Sequence, residues 1–289
     1  MRFSYIYPPV SATRDDYDNA IGEVVDILKG QVSVQAIYQF GNFNSPGISD
    51  IDLMVVFKED TECHLDPLQH LNSRHKSLFT HSVMGISQDQ LPDLMKFSFW
   101  HNYKLIHSSI PGYDLPAIQA DPSIISTLKK QIATEYLTSN YIDLYMQLST
   151  RIIKVRSLLQ HVKGFIYDFE FLGYSDEVLE EMVEEIRSMI KAYPEQPIAN
   201  DHLGEWLQSF FSEFSRFLSV VYQTNPLYLP KRPEYRYGKN ITVFPSNGID
   251  QEHRGFSLPR IFPLTDKKYF RLNNRFNSYQ FWFPIIFEE

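Results

Sequence analysis

Apolar Ile21, Val24, Val25 and Leu28 recur at helical spacing behind Thr13 and Asp16, which have the form of a capping box. With Gly30 as a stop, the pattern predicts a helix over residues 13–29. The period then changes. SVQAIYQFG, residues 33–41, is β-branched and aromatic and ends at Gly41, and IDLMVVF, residues 51–57, is a second apolar run. Asn42, Asn44, Ser45, Pro46, Gly47 and Ser49 between them are turn formers, so the pattern predicts two neighbouring strands joined by a tight loop. A polar stretch with a short helix near 66–76 leads into SLFTHSVMGI, residues 77–86, read as a third strand, and YKLIHS, residues 103–108, makes a fourth.

From Pro122 a helical period returns through Ile125, Leu128, Ile132 and Leu137 and continues without a break along LYMQLSTRIIKVRSLLQHV, residues 144–162. Two further amphipathic helices, SDEVLEEMVEEIRSMIKAY and DHLGEWLQSFFSEFSRFLSVVY, flank the proline-marked PEQPIAN. The prolines and glycine of IPGYDLPAIQADP place a boundary near 115–122. The expected organisation is an α/β (α+β) domain with a short mixed sheet over 1–118, a mainly helical domain over 119–224, and a basic, aromatic-rich extension over 225–289 packed on the rest.

Composition narrows the classes. Hydrophobic residues make up 43% and charged residues 21% of 289, the balance of a globular chain and not of a disordered one. No stretch has the apolar length of a membrane-spanning helix, the first residues lack a signal-peptide profile, and the one cysteine, Cys63, excludes a disulfide framework, so a cytoplasmic address with no membrane partner is expected. The net charge of −8 is unevenly spread: residues 224–289 carry ten Lys and Arg against six Asp and Glu, which leaves the body acidic. A basic aromatic tail can meet phosphates and stack bases, but it equally neutralises an acidic body, and nucleic acid is possible but not the favoured partner. Cys63, His64, His70 and His75 match none of the usual zinc spacings, and neither a phosphate-binding P-loop nor a dinucleotide glycine fingerprint occurs.

The segment FGNFNSPGISDIDLMVVF, residues 40–57, carries chemistry. In a strand successive side chains alternate faces, so Asp50 and Asp52 project to one side, about 6.5–7 Å apart along the backbone. Two carboxylates on one face repel each other unless something positive sits between them, and a divalent cation with oxygen preferences is the usual solution. Gly41 lets the backbone approach a ligand closely, and the turn formers after it can aim N–H groups at a phosphate.

This arrangement resembles the nucleotidyltransferase superfamily of DNA polymerase beta, whose signature is a glycine-serine pair ending one strand, a short loop, and an acid-x-acid motif opening the next. The matching pieces are Gly41 with Asn42, the loop FNSPGIS, and Asp50-Ile51-Asp52 preceded by Ser49. The order helix, strand, motif, strand, third strand, helical domain is also similar, over residues 13–160. The resemblance implies a nucleotidyltransferase-like first domain with Asp50 and Asp52 as catalytic metal ligands for Mg2+ or Mn2+. It implies a nucleoside triphosphate such as ATP as donor, a hydroxyl acceptor that is a small molecule, a sugar or a protein, and Gly41, Asn42 and Ser49 at the nucleotide. Two ions about 3.5–4 Å apart would serve the attacking and departing oxygens. Lys154, with Arg151 and Arg156 on a predicted helix, would meet the triphosphate as basic residues do in similar enzymes, or else form a solvated face. The sequence departs from the family in two places. Asn42 replaces serine, and the predicted third strand holds no third carboxylate; His81 is the residue nearest that position and is taken as the third candidate metal ligand, an imidazole that can bind some transition metals but is a poor ligand for magnesium. These departures open two alternatives: a catalytically impaired protein acting as a nucleotide-binding or scaffold module, and a nucleotidyltransferase that modifies RNA ends.

Overall fold

The structure is a computed structural model describing residues 3–58, 65–81, 83–88, 91–95, 102–116, 122–193, 195–196, 200–225, 235–236 and 242–243. It is a mixed α/β fold with a small mixed sheet and a set of long helices. Cys63, His64 and nearly all of the 225–289 extension, including its aromatic cluster at 276–287, lie outside the described residues. Within the extension two short strands, Tyr235–Arg236 and Thr242–Val243, pair antiparallel. Two units are distinguished, one of them centred on residues 10–120 and the other formed by residues 1–9 with the long helices from 121 onward.

In the first unit, helix α1 (Arg14–Leu28) begins with the capping box that Thr13 and Asp16 predict, both hydrogen bonds of the box being made. Asp16 also receives Arg74 Nη2 at 2.8 Å from the short helix α2 (Ser73–Lys76). The Thr13 backbone N–H, the Arg74 guanidinium and the Thr13 hydroxyl hold the Asp16 carboxyl down to about 2. Its contribution to stability is therefore complete above the ordinary carboxylate range and is lost as pH falls through about 2.

The sheet follows from the strand patterns. β2 (Val34–Phe40) is central and antiparallel to both β3 (Asp52–Phe57) and β5 (Lys104–Ser108), while β4 (Met84–Ser87) adds parallel to β3, giving the order β4-β3-β2-β5. Alternation along β3 sends Ile51, Leu53, Val55 and Phe57 into a core with Tyr17, Ala20, Ile21, Val24 and Leu28 of α1. Met54 and Val56, on the opposite face, are also fully buried, which explains why the run reads as continuously apolar. The third strand is shorter than its sequence suggests. Residues 77–81 are the close of α2: Leu78 and Phe79 N–H groups bond back to His75 and Lys76 carbonyls, and Leu78 and Phe79 enter the α1 core.

The second unit holds α4 (Pro122–Thr150), α5 (Val155–Leu172), α6 (Glu177–Ala192) and α7 (Asn200–Thr224); the five-residue α3 (Leu91–Met95) belongs to the first. Its core is aromatic: Phe165 lies 4.8 Å from Phe214 and 5.6 Å from Phe210, which stacks on Trp206 at 4.9 Å. The continuous helix expected across 144–162 is broken. Arg151 takes a left-handed φ of 56° and Ile152–Lys154 form strand β6, parallel to an unforeseen β1 (Ser4–Ile6). The β-branched pair Ile152 and Ile153 fits a helical period and a strand equally well, and pairing with β1 decides between them.

Asp168 on α5 is buried, as are Phe165, Phe169 and Leu172 of the same helix, and its Oδ2 has no hydrogen-bond partner among the described residues. Burial pushes its carboxyl well above the usual range. The folded state thus keeps a proton that the unfolded chain releases near 3.8, so stability falls as pH rises from there toward the folded-state value. Asp168→Asn should remove that slope and stabilise the protein at pH 7 by about 1–3 kcal/mol. Urea denaturation at pH 5 and pH 8 checks this: wild type should lose stability between the two and the variant should not.

Candidate functional site

Gly41 ends β2 with a left-handed φ of 69°, and a Cβ placed there would sit 3.4 Å from Asp52 Oδ2. Glycine thus supplies the turn and keeps the backbone beside the carboxylate bare. Asn42 is exposed, and its Oδ1 accepts the Asn44 N–H at 3.4 Å, which leaves the amide nitrogen as the end that can donate outward.

The rest of the loop is held from α1. The Tyr17 hydroxyl, fully buried, donates to the Ser49 carbonyl at 2.6 Å and accepts the Gly47 N–H at 3.0 Å, while its ring stacks on Phe43 at 4.8 Å. Val10 N–H donates to the Gly47 carbonyl at 2.9 Å, and the Arg14 guanidinium lies 4.0 Å over the Phe43 ring. Ser49 is buried, and its Oγ accepts the Ser45 N–H at 3.3 Å. The N–H groups of Ser45, Gly47, Ile48 and Ser49 all find partners inside the loop or on Tyr17. Ser49 therefore shapes the loop that presents Asp50.

Asp50 and Asp52 flank buried Ile51, whose N–H donates to the Leu78 carbonyl at 3.1 Å. That bond ties the acid-x-acid motif to the turn closing α2, and Thr80 and His81 at the end of the turn reach the acids. Thr80 Oγ1 donates to Asp50 Oδ2. His81 Nε2 lies 2.8 Å from Asp52 Oδ1 and 3.8 Å from Asp50 Oδ2. All three side chains are partly buried, and each offers one ligand atom within 4.8 Å of the others. Two carboxylate oxygens and an imidazole nitrogen at these spacings are a donor set that fits a divalent cation, and this is the one such group among the described residues.

Lys154 belongs to the helical unit. It ends β6 and caps α5, its N–H donating to Gln147 Oε1 at 2.9 Å and its Nζ lying 3.3 Å from Asp143 Oδ1. The basic trio is not one helix face: Arg151 occupies the left-handed turn before β6, and Arg156 is buried with its N–H on the Tyr7 carbonyl.

Two residues of the site escape a motif search. Thr80 adjoins His81 in a segment whose pattern reads as strand, and only the turn geometry brings it to Asp50. Tyr17 had a signal: it lies on the apolar stripe of α1 with Ala20, Ile21, Val24 and Leu28, and a buried phenol needs a hydrogen-bond partner. No helix of the described residues is long and apolar enough to cross a membrane. Compared with protein-family models, with curated proteins and with solved structures, the chain finds no match.

Proposed function

We propose that the chain is a divalent-metal-dependent nucleotidyltransferase, moving a nucleoside monophosphate from a nucleoside triphosphate to a hydroxyl acceptor. The observation that carries this reading is the convergence of Asp50, Asp52 and His81 beside the bare turn at Gly41. In this reading the three side chains hold the ion, Mg2+ or Mn2+, which when bound neutralises phosphate charge and polarises the α-phosphorus. Gly41 admits a phosphate next to Asp52, and the Asn42 amide donates to a phosphate oxygen. The Tyr17-held loop keeps Asp50 in place. The acceptor oxygen forms a bond to the α-phosphorus, the bridge to the β-phosphate breaks, pyrophosphate leaves, and the hydroxyl proton passes to a carboxylate of the pair. The acidic body of the chain disfavours a long nucleic-acid track, so a small molecule, a sugar or a protein side chain is the acceptor class.

One observation favours a second reading, nucleotide binding without transfer: among the described residues an imidazole, and not a third carboxylate, completes the group. Calorimetric titration of ATP, GTP, CTP and UTP with Mg2+ and then Mn2+, with pyrophosphate followed in the same samples, tests both. Metal-dependent binding with release supports the transferase. Binding without release, across a panel of hydroxyl acceptors, supports the binding module, and no metal-dependent binding in a protein shown to be folded by circular dichroism overturns both.

A further inference from the structure

We infer that His81 makes the acid pair a site for one transition-metal cation of the manganese class in preference to Mg2+, and that this residue sets the metal preference of the chain. The inference rests on the metal-binding part of the reading above and deepens it by naming the cation class. An octahedral ion with ligands at about 2.1 Å spaces neighbouring donors about 3 Å apart and opposite donors about 4.2 Å apart. The separations of His81 Nε2 from Asp52 Oδ1, 2.8 Å, and from Asp50 Oδ2, 3.8 Å, fall close to those two values. All three ligand atoms lie within 4.8 Å of one another, so one ion can draw an oxygen from each aspartate and the imidazole nitrogen together.

The position of the imidazole is built in. His81 follows Thr80, which donates to Asp50, and the turn carrying both is fastened to the acid motif by the bond from Ile51 N–H to the Leu78 carbonyl. Its nitrogen stands at the edge of the carboxylate pair, where a further acid would supply hard oxygen. Mg2+ demands oxygen ligands and gives up water reluctantly, so a nitrogen in its coordination shell is a loss. First-row transition cations take imidazole, Co2+ and Zn2+ more strongly than Mn2+, and with one nitrogen and two oxygens each of them, Mn2+ by the smallest margin, gains over Mg2+ at the same site.

Mn2+ itself is the probe. Spin-echo modulation spectroscopy of the full chain loaded with one equivalent of Mn2+ should show coupling to a directly bound imidazole nitrogen, and Mg2+ should displace the Mn2+ only at about 100-fold higher concentration or more. In His81→Asp the nitrogen coupling should vanish and the Mn2+ to Mg2+ preference should narrow by about tenfold or more. Mn2+ bound without nitrogen coupling in wild type overturns the inference, and that measurement needs no variant. An unchanged preference in a folded His81→Asp protein overturns it too. Nucleotide titrations on the same samples separate the two levels: triphosphate binding supported equally by Mg2+ and Mn2+ leaves the transferase reading standing and removes this inference. Nitrogen-coupled Mn2+ with no triphosphate binding does the reverse, and no bound divalent ion at all removes both.

Discussion

Asp50→Ala/Asp52→Ala is expected to weaken metal-dependent triphosphate binding by about 100-fold or more, because it leaves His81 as the single protein ligand in the group. Pyrophosphate release in the presence of a competent acceptor should fall about 1,000-fold or further, as the charge that steadies the departing oxygens is no longer held in place. The same double variant should unfold within about 1 kcal/mol of wild type. Two partly exposed carboxylates with a shared face lose mutual repulsion, and against this stand the bonds from Thr80 and His81 that disappear with them. Calorimetric titration and urea denaturation on one preparation check both halves. A variant that binds triphosphate as wild type does would separate the acids from any nucleotide site, and one that fails to fold would show that they are structural.

Tyr17→Phe is the larger test of stability. The ring would stay, with its stacking on Phe43, and only the hydroxyl would go. Its loss removes the bonds of 3.0 and 2.6 Å that the phenol makes to the Gly47 N–H and the Ser49 carbonyl. Two hydrogen bonds lost in a buried place should cost about 2–4 kcal/mol. The expected signature is a lower urea midpoint at an unchanged slope, with Mn2+ affinity falling because the loop no longer holds Asp50 rigidly. Stability reduced with metal affinity intact would mean that the phenol supports the loop without positioning the acids.

The parts of the fold that can be read from sequence are those governed by local rules. Thr13 and Asp16 announce the start of α1 because both halves of their capping interaction lie within one turn. β2 and β3 are legible because β-branched and aromatic runs flank a loop dense in turn formers, and the same runs put Asp50 and Asp52 on one side with Ile51 between them in the core. His81 comes to the acids from a turn, and not from the strand that its sequence pattern suggests. Non-local choices are where the reading stops. Ile152 and Ile153 leave a helical period only because Ser4–Ile6 pair with them, a partner no local pattern reveals. Thr80 reaches Asp50 through a turn whose residues look like the first half of a strand. Asp168 sits in YDFEF, where an acid at helical spacing suggests an exposed position, and only the packing of α5 buries it.

The pairing of β1 with β6 has a consequence for how the protein is made. Ser4 and its neighbours leave the ribosome about 150 residues before Ile152 does, which at 5–20 residues per second is an interval of roughly 8–30 s. During that interval the whole of the sheet unit has been synthesised and its strands, all drawn from residues 34–108, have their partners at hand. The opening segment must wait, unpaired, with apolar Ile6 and aromatic Tyr5 exposed, until the chain between α4 and α5 is delivered. Closing so long a loop is slow and is completed late, so a nascent chain halted before residue 150 should hold a protected sheet and an amino-terminal segment still open to protease.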